Sequence, residues 1–302
     1  MEEIEAKFRI VTPMFMSGAD QTKAELRVPS IKGALRFWWR ALALGGKVKD
    51  VKKEESKIFG STDTGRSNIL LSLSNLYIEK NEIRSFNIQW KKYVGYGILD
   101  SLENKESKEY IKNGSSFSLN ILAKDDVNKP LLLKSIKTLG LLGGLGGRSR
   151  KGWGSLTLLE LNGSDVEWSA PRTIEDYKEE IKDILSDYSA VSDIPQYTAF
   201  SKHTKIHSGN LEKSSEKAQK ILGENYKNAI NDCDKSNRKF FGLPRKDKDP
   251  RRASPLFLHI QYLDEGDYLP VASFFNARFT PDTQVIFTEP IYNLLNSVGG
   301  EI

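Results

Sequence analysis

The chain is 302 residues long, 38% hydrophobic and 28% charged, with 45 Lys plus Arg against 40 Asp plus Glu, three His and one Cys. That length exceeds the usual domain of roughly 100–200 residues, so two modest domains are expected, each able to bury a core without disulfides or a structural metal. Cys233 alone excludes an internal disulfide and fits a reducing, cytoplasmic setting, and no apolar run approaches the roughly 20 residues that span a bilayer, so a membrane role is not expected.

Glu3 to Val11 alternates, placing Ile4, Ala6, Phe8 and Ile10 on one face, which predicts a half-buried strand. After a loop over Thr12 to Pro29, Ser30 is placed to cap a helix in which Ile31, Leu35, Trp38 and Leu42 recur at helical spacing up to Gly45-Gly46. Asp50 to Glu55 mixes both charge signs, as solvated faces and linkers do. Ile69 to Ile78 and Phe117 to Ala123 read as strands on either side of a polar insertion. Pro130 opens a helix that Gly143-Gly144 stop, and Ser155 to Leu161 closes as a strand. The order strand, helix, strand, strand, helix, strand predicts an α+β fold, with a ferredoxin-like (RRM-like) module over residues 1–165. Further on come a linker with Pro171, a charged helix from Thr173, a polar helix near Asn210 to Ile230, a hairpin over Pro255 to Leu263 and Tyr268 to Phe279, and a short helix near Tyr292. A second module of the same ferredoxin-like class, with helical insertions, is expected over 166–302.

The net charge of +5 is small, but its distribution is uneven. No acid occurs between Glu25 and Asp50, where Arg27, Lys32, Arg36 and Arg40 fall, and none between Val127 and Leu159, where Lys129, Lys134, Lys137, Arg148, Arg150 and Lys151 fall. On the first helix Lys32, Arg36 and Arg40 stack in one row that repels itself unless an anion is near. Phosphates of a nucleic acid would relieve that repulsion, and Trp39 beside the row is a candidate to stack on a base, while Trp38 belongs to the core by its spacing. Solubilisation of a helix face is the plain alternative for the cations. The run Gly143 to Gly154 packs six glycines with Arg148, Arg150 and Lys151 between a helix and a strand. Gly144, Gly146 and Gly152 free the backbone for close approach to a phosphodiester, and Trp153 is a second stacking candidate. No Gly-Lys-Ser/Thr ending makes it a nucleotide-binding loop. Arg245, Arg251 and Arg252 flank a polar loop and would extend the cationic track, although the Lys246 to Asp249 run neutralises itself.

Asp20, in the loop after the first strand, and His203 are the candidates for a metal-assisted or acid–base ribonuclease. A lone acid in a loop is more often a turn residue, and three His with one Cys do not fill a four-ligand zinc site, so no metal or cofactor is expected.

Thr12-Pro13-Met14-Phe15-Met16-Ser17-Gly18-Ala19-Asp20, followed by Arg27-Val28-Pro29-Ser30-Ile31-Lys32-Gly33-Ala34-Leu35-Arg36-Phe37-Trp38-Trp39-Arg40, resembles the opening of the large first-listed subunits of type III-B CRISPR Cmr effector complexes. Phe59-Gly60-Ser61 with Arg66-Ser67, and Gly144-Leu145-Gly146 followed by Gly152, are similar to the signature of the wider RAMP superfamily. The resemblance covers about the first 160 residues, and the Phe241 to Pro255 block matches more loosely. It implies two ferredoxin-like modules and a non-catalytic subunit in antiviral defence. Such a subunit binds guide RNA near its 3′ end, with target RNA a second candidate, beside other RAMP subunits. Because backbone subunits of related complexes carry a cleaving aspartate in the region of Asp20, an endoribonuclease is the runner-up. A second glycine-rich loop, expected in the C-terminal half, is absent from the sequence.

Overall fold

The computed structural model describes residues 1–43, 47–99, 107–163, 165–242, 253–278 and 289–302. Strand β1 (Glu2–Ile10) sits at the centre of the first sheet, with Ile4, Ala6, Phe8 and Ile10 buried on one face. It pairs antiparallel with β5 (Ser116–Ala123) on one side and β6 (Leu156–Gly163) on the other. β2 (Ile69–Tyr77) adds outside β5, and β7 (Val166–Ser169) outside β6, giving the order β2-β5-β1-β6-β7. Helix α1 (Val28–Leu42) follows β1 and α4 (Lys129–Leu142) follows β5. The order β2-β5-β1-β6, with a helix after its first and third strands, is the ferredoxin-like arrangement. The sheet continues to Ser169, past residue 165.

Two local expectations need correction. Helix α1 starts at Val28 rather than after Ser30, because Pro29 fits the first turn, where its missing N–H costs nothing. The mixed-charge stretch after it is not a solvated linker but helix α2 (Val48–Phe59), whose Val51, Glu55, Ile58 and Phe59 are buried. The polar insertion is also folded: β3 (Lys80–Ile83) pairs with β4 (Lys108–Ile111), and the short α3 (Gln89–Val94) lies between them.

Helix α5 (Ile174–Ser186) begins in a capping box of Thr173 and Asp176 and buries Tyr177, Ile181 and Ile184 in the first core. The Tyr177 hydroxyl donates to the Leu141 carbonyl at 2.8 Å and the Tyr188 hydroxyl to Leu42 at 2.7 Å. A second sheet then forms from β8 (Lys205–Ser208), β9 (Leu256–Tyr262), β10 (Tyr268–Phe274) and β11 (Gly300–Glu301). Its order is β11-β8-β10-β9, with α6 (Ser215–Asp232) after β8 and α7 (Glu289–Val298) after β10. The chain therefore repeats the ferredoxin-like plan. In this second copy Gly299 alone joins the last helix to the last strand, which is why no second glycine-rich loop exists.

The modules share aromatic packing. Trp38 of α1 meets Phe200, Phe257 and Phe275 with ring centroids 5.5 to 6.4 Å apart. Trp90 of α3 lies so close to Gly223 of α6 that a Cβ there would stand 2.4 Å from the indole.

Candidate nucleic-acid interface

Around α1, at about 100° per residue, Lys32, Arg36, Arg40, Gly33, Phe37 and Ser30 follow one another across the side facing away from the core. Gly33 is exposed, and nothing lies within 4 Å of where its Cβ would stand. The helix backbone is therefore open to close approach at the middle of this face.

The row of cations carries its own anion. Arg36 Nε and Arg40 Nη1 both donate to Glu55 Oε1, at 2.6 and 2.8 Å, and the Glu55 side chain is only 4% exposed. One carboxylate oxygen from α2 thus holds two guanidiniums, each of which keeps further N–H donors for another acceptor. Lys32 has no carboxylate within 4 Å among the described residues, and burial together with neighbouring Arg36 lowers its pKa. Arg27 pairs with Glu25 at 3.7 Å.

The second acid-free window is not acid-free in space. Lys129 bridges Glu2 and Asp165, Lys134 pairs with Asp187, and Lys137 reaches Glu180 at 3.9 Å. Of its six cations, those three serve the fold of the helix layer, and the other three lie in the glycine-rich loop.

That loop is pinned on three sides. Gly147 N–H donates to Phe15 O at 2.7 Å and Gly154 N–H to Pro13 O at 2.9 Å, tying it to the segment after β1. Thr12 Oγ1 and Gln219 Nε2 both donate to Gly152 O, and Leu258 N–H donates to Arg150 O, tying it to α6 and β9. His259 Nδ1 meets Gly143 O at 2.8 Å where α4 ends. The glycines are required for this packing: with φ of +83°, a Cβ on Gly146 would stand 2.6 Å from Phe15 O, and one on Gly144 would stand 2.7 Å from Gly154 O. Part of the expected nest is therefore spent within the protein: the amides of Gly143, Leu145, Gly147, Lys151 and Gly154 all donate to protein carbonyls.

Both tryptophans proposed as stacking platforms are corrected as well. Trp39 is 3% exposed, within the first core, and Trp153 is 2% exposed, packed against Phe15 and Phe86 at 5.4 and 5.2 Å. The aromatic ring that does reach the α1 surface is Phe37, half-buried and stacked on Phe257 at 5.6 Å. The Arg150 guanidinium lies 4.8 Å from the Phe37 centroid and 4.6 Å from that of Phe257, so the loop and the first helix meet there. A signal for Phe37 was present in its spacing, four residues after Gly33 on the outward arc, but the adjacent double Trp masked it. Arg150 also donates to Ser254 O at 2.6 Å. Lys151 turns inward over the Tyr226 ring at 3.9 Å, and burial pushes its ammonium well below the usual lysine pKa, with Arg148 and Arg150 adding to the effect. Arg148 is exposed and holds a left-handed backbone, φ 59°. Arg245, Arg251 and Arg252 lie outside the described residues.

The sequence model of the RAMP superfamily matches residues 7–157, half of the chain, from the latter part of β1 through the glycine-rich loop. The chain belongs to the RAMP superfamily. Its curated relatives include the Pyrococcus furiosus CRISPR system Cmr subunit Cmr1-2, 34% identical over an alignment of 168 residues that covers 48% of this chain and 89% of that one. The crystal structure of Cmr1 from Pyrococcus furiosus superposes with a TM-score of 0.70 at 24% identity, covering 99% of this chain and 96% of that one. A chain of the type III-B Cmr-beta complex bound to cognate target RNA and AMPPnP, in the presence of single-stranded DNA, superposes at 0.62 and 15% identity over 98% of each.

The candidate catalytic residues of this RAMP chain lie in different modules. Asp20 accepts from the Thr22 amide and hydroxyl at 2.8 and 2.6 Å, and those bonds lower its carboxyl pKa, as in a turn. His203 sits in the turn before β8 with Nε2 2.9 Å from Ser192 O. Among the described residues no three His, Cys, Asp or Glu side chains cluster to hold a metal ion. No helix of the described residues is long and apolar enough to cross a membrane.

Proposed function

We propose that this chain is a non-catalytic, RNA-binding subunit of a type III-B CRISPR effector, acting in the reducing cytoplasm in antiviral defence. It holds single-stranded guide RNA near the 3′ end, with target RNA a second ligand, and docks beside other RAMP subunits. The observation that carries this reading is the outward face of α1. Gly33 leaves the backbone bare, Lys32 and Arg36 line one side, and the Phe37 and Arg150 stack lines the other. A phosphate chain laid along that face meets cations at each turn of the helix, and a base has the Phe37 ring to rest on. Arg148, exposed at the loop tip, extends the charge. The curated relatives named as Cmr subunits and the RNA-bound complex of the same fold support the assignment.

Fluorescence anisotropy with labelled single-stranded RNA tests it. Lys32→Ala and Phe37→Ala should each weaken binding while leaving the circular dichroism spectrum unchanged, and equal affinity for both variants and the parent would sink the reading. The same RNA, incubated with the protein with and without EDTA, should stay intact. Cleavage would instead favour the ribonuclease.

A further inference from the structure

On the helix layer, away from the glycine-rich loop, a groove of about 650 Å³ opens between α1, α2, the start of α4 and the segment after α5. Its floor is apolar, formed by Trp39, Leu42, Val51, Ile58, Leu131 and Tyr188. Its rim is acidic. Glu54 is paired with Lys57 at 2.7 Å and Asp187 with Lys134, which leaves Asp50 and Asp126 on the rim with no cation within 4 Å among the described residues. Among the described residues Asp126 accepts only the Asn68 side-chain amide, at 2.9 Å. The Trp39 Nε1 donor is buried with no acceptor among the described residues, an open demand at the residue that floors the groove.

These properties select the occupant. Two uncompensated carboxylates repel a phosphate backbone, so the groove is not a continuation of the RNA face. An apolar floor of this size suits one or two large side chains, and buried apolar area drives such docking. Carboxylates on the rim favour cations at its edges and suppress acidic competitors. We infer that this groove docks a segment of a partner protein that carries a large apolar side chain flanked by lysine or arginine. The site is distinct from the RNA face: one edge of α1 contributes Trp39 and Leu42 here, and its outward arc contributes Lys32, Gly33 and Phe37 there.

The probe is a fluorescein-labelled synthetic peptide with a central leucine-tryptophan pair and two lysines on each side, measured by anisotropy against the full chain. Controls replace the lysines by glutamate, or the central pair by serine. The lysine-flanked peptide should bind, and both controls should bind at least about tenfold more weakly, since each about 1.4 kcal/mol lost is a factor of ten. Asp50→Lys combined with Asp126→Lys changes only exposed side chains. It should weaken the peptide about tenfold or more and leave single-stranded RNA affinity no weaker. Leu131→Arg, at a half-buried position in the first turn of α4, should do the same to the peptide. Equal binding of lysine-flanked and glutamate-flanked peptides, unchanged binding in the charge-reversed variant, or competition by RNA for the peptide site overturns the proposal. Dimerisation of the free chain that the charge reversal abolishes would assign the groove to a second copy and overturn it equally.

Discussion

Replacing Arg36 and Arg40 together by alanine is the direct way to strip the cationic row, and the structure says it does more than that. Both side chains satisfy Glu55 Oε1, whose side chain is 4% exposed. Removing one side of a buried ion pair costs about 3–5 kcal/mol because the remaining charge stays desolvated. The arginines are 33% and 39% exposed, so solvent reaches the site after truncation, and the cost belongs near the lower limit, about 3 kcal/mol. That is a large part of a native stability of roughly 5–15 kcal/mol, so weakened RNA binding in the double variant would partly report unfolding. Adding Glu55→Gln removes the orphaned charge and should recover all but about 1 kcal/mol of the loss. The triple variant then isolates the electrostatics. With two phosphate contacts gone, the slope of log affinity against log salt should fall by about 1.4 for a single strand. Urea denaturation followed by circular dichroism, with anisotropy titrations between about 50 and 200 mM salt, measures both quantities. A double variant as stable as the parent would refute the role given to Glu55. A triple variant with the parent's salt slope would refute the role given to the arginines.

Gly33→Ala adds a methyl group in open space within a helix and should raise stability by about 0.5–1 kcal/mol, whereas Gly33→Leu should weaken RNA binding on the same fold; thermal melts and anisotropy check the pair. Gly154→Ala should instead cripple folding, because φ is +59° and the new Cβ would stand 2.0 Å from Leu145 O, as soluble yield and calorimetry would show. Arg148→Gly relaxes a left-handed residue, so stability should hold or rise by up to about 1 kcal/mol while the RNA salt slope drops by about 0.7. His259, buried against Gly143 O, has its pKa lowered from 6.5 to about 4, chiefly by desolvation. Its folded pKa lies below the unfolded one, so the unfolded chain takes up the proton first. The stability tied to its neutral form is complete above about pH 6.5 and falls as the pH drops toward 4, by about 3 kcal/mol in all. Denaturant melts from pH 7 to 4.5 should show a flatter decline in His259→Gln.

Much of the fold was legible because its strands and helices announce themselves by period. The alternation of Glu3 to Val11 and the stripe of Ile31, Leu35, Trp38 and Leu42 both fall where the sheet and helix layers bury them. Helix α2 was hidden because Glu55 occupies a core-facing position, and a carboxylate there makes sense only once Arg36 and Arg40 stand opposite it. The candidate site suffered the same blindness to long-range pairing. Lys129, Lys134 and Lys137 form an acid-free stretch in sequence, yet their partners Glu2, Asp187 and Glu180 come from distant elements. In sequence Trp39 and Trp153 have no visible neighbours to bury them, and Phe37 is overshadowed by the adjacent double Trp while its partner Phe257 lies in the other module.

The bond between Gly143 O and His259 spans 116 residues of chain. Translation at about 5–20 residues per second separates its two halves by about 6 to 23 s, and once β7 is made the first module has every strand of its sheet but only part of the contacts that fix its loop. The loop's remaining mates, β9 and α6, belong to a part of the chain not yet made. The N-terminal half is thus a scaffold awaiting its clasp, and a fragment cut after residue 169 should behave as a nascent chain held at that stage, with the side of the loop that meets β9 and α6 open to proteases and chaperones until the second half is supplied.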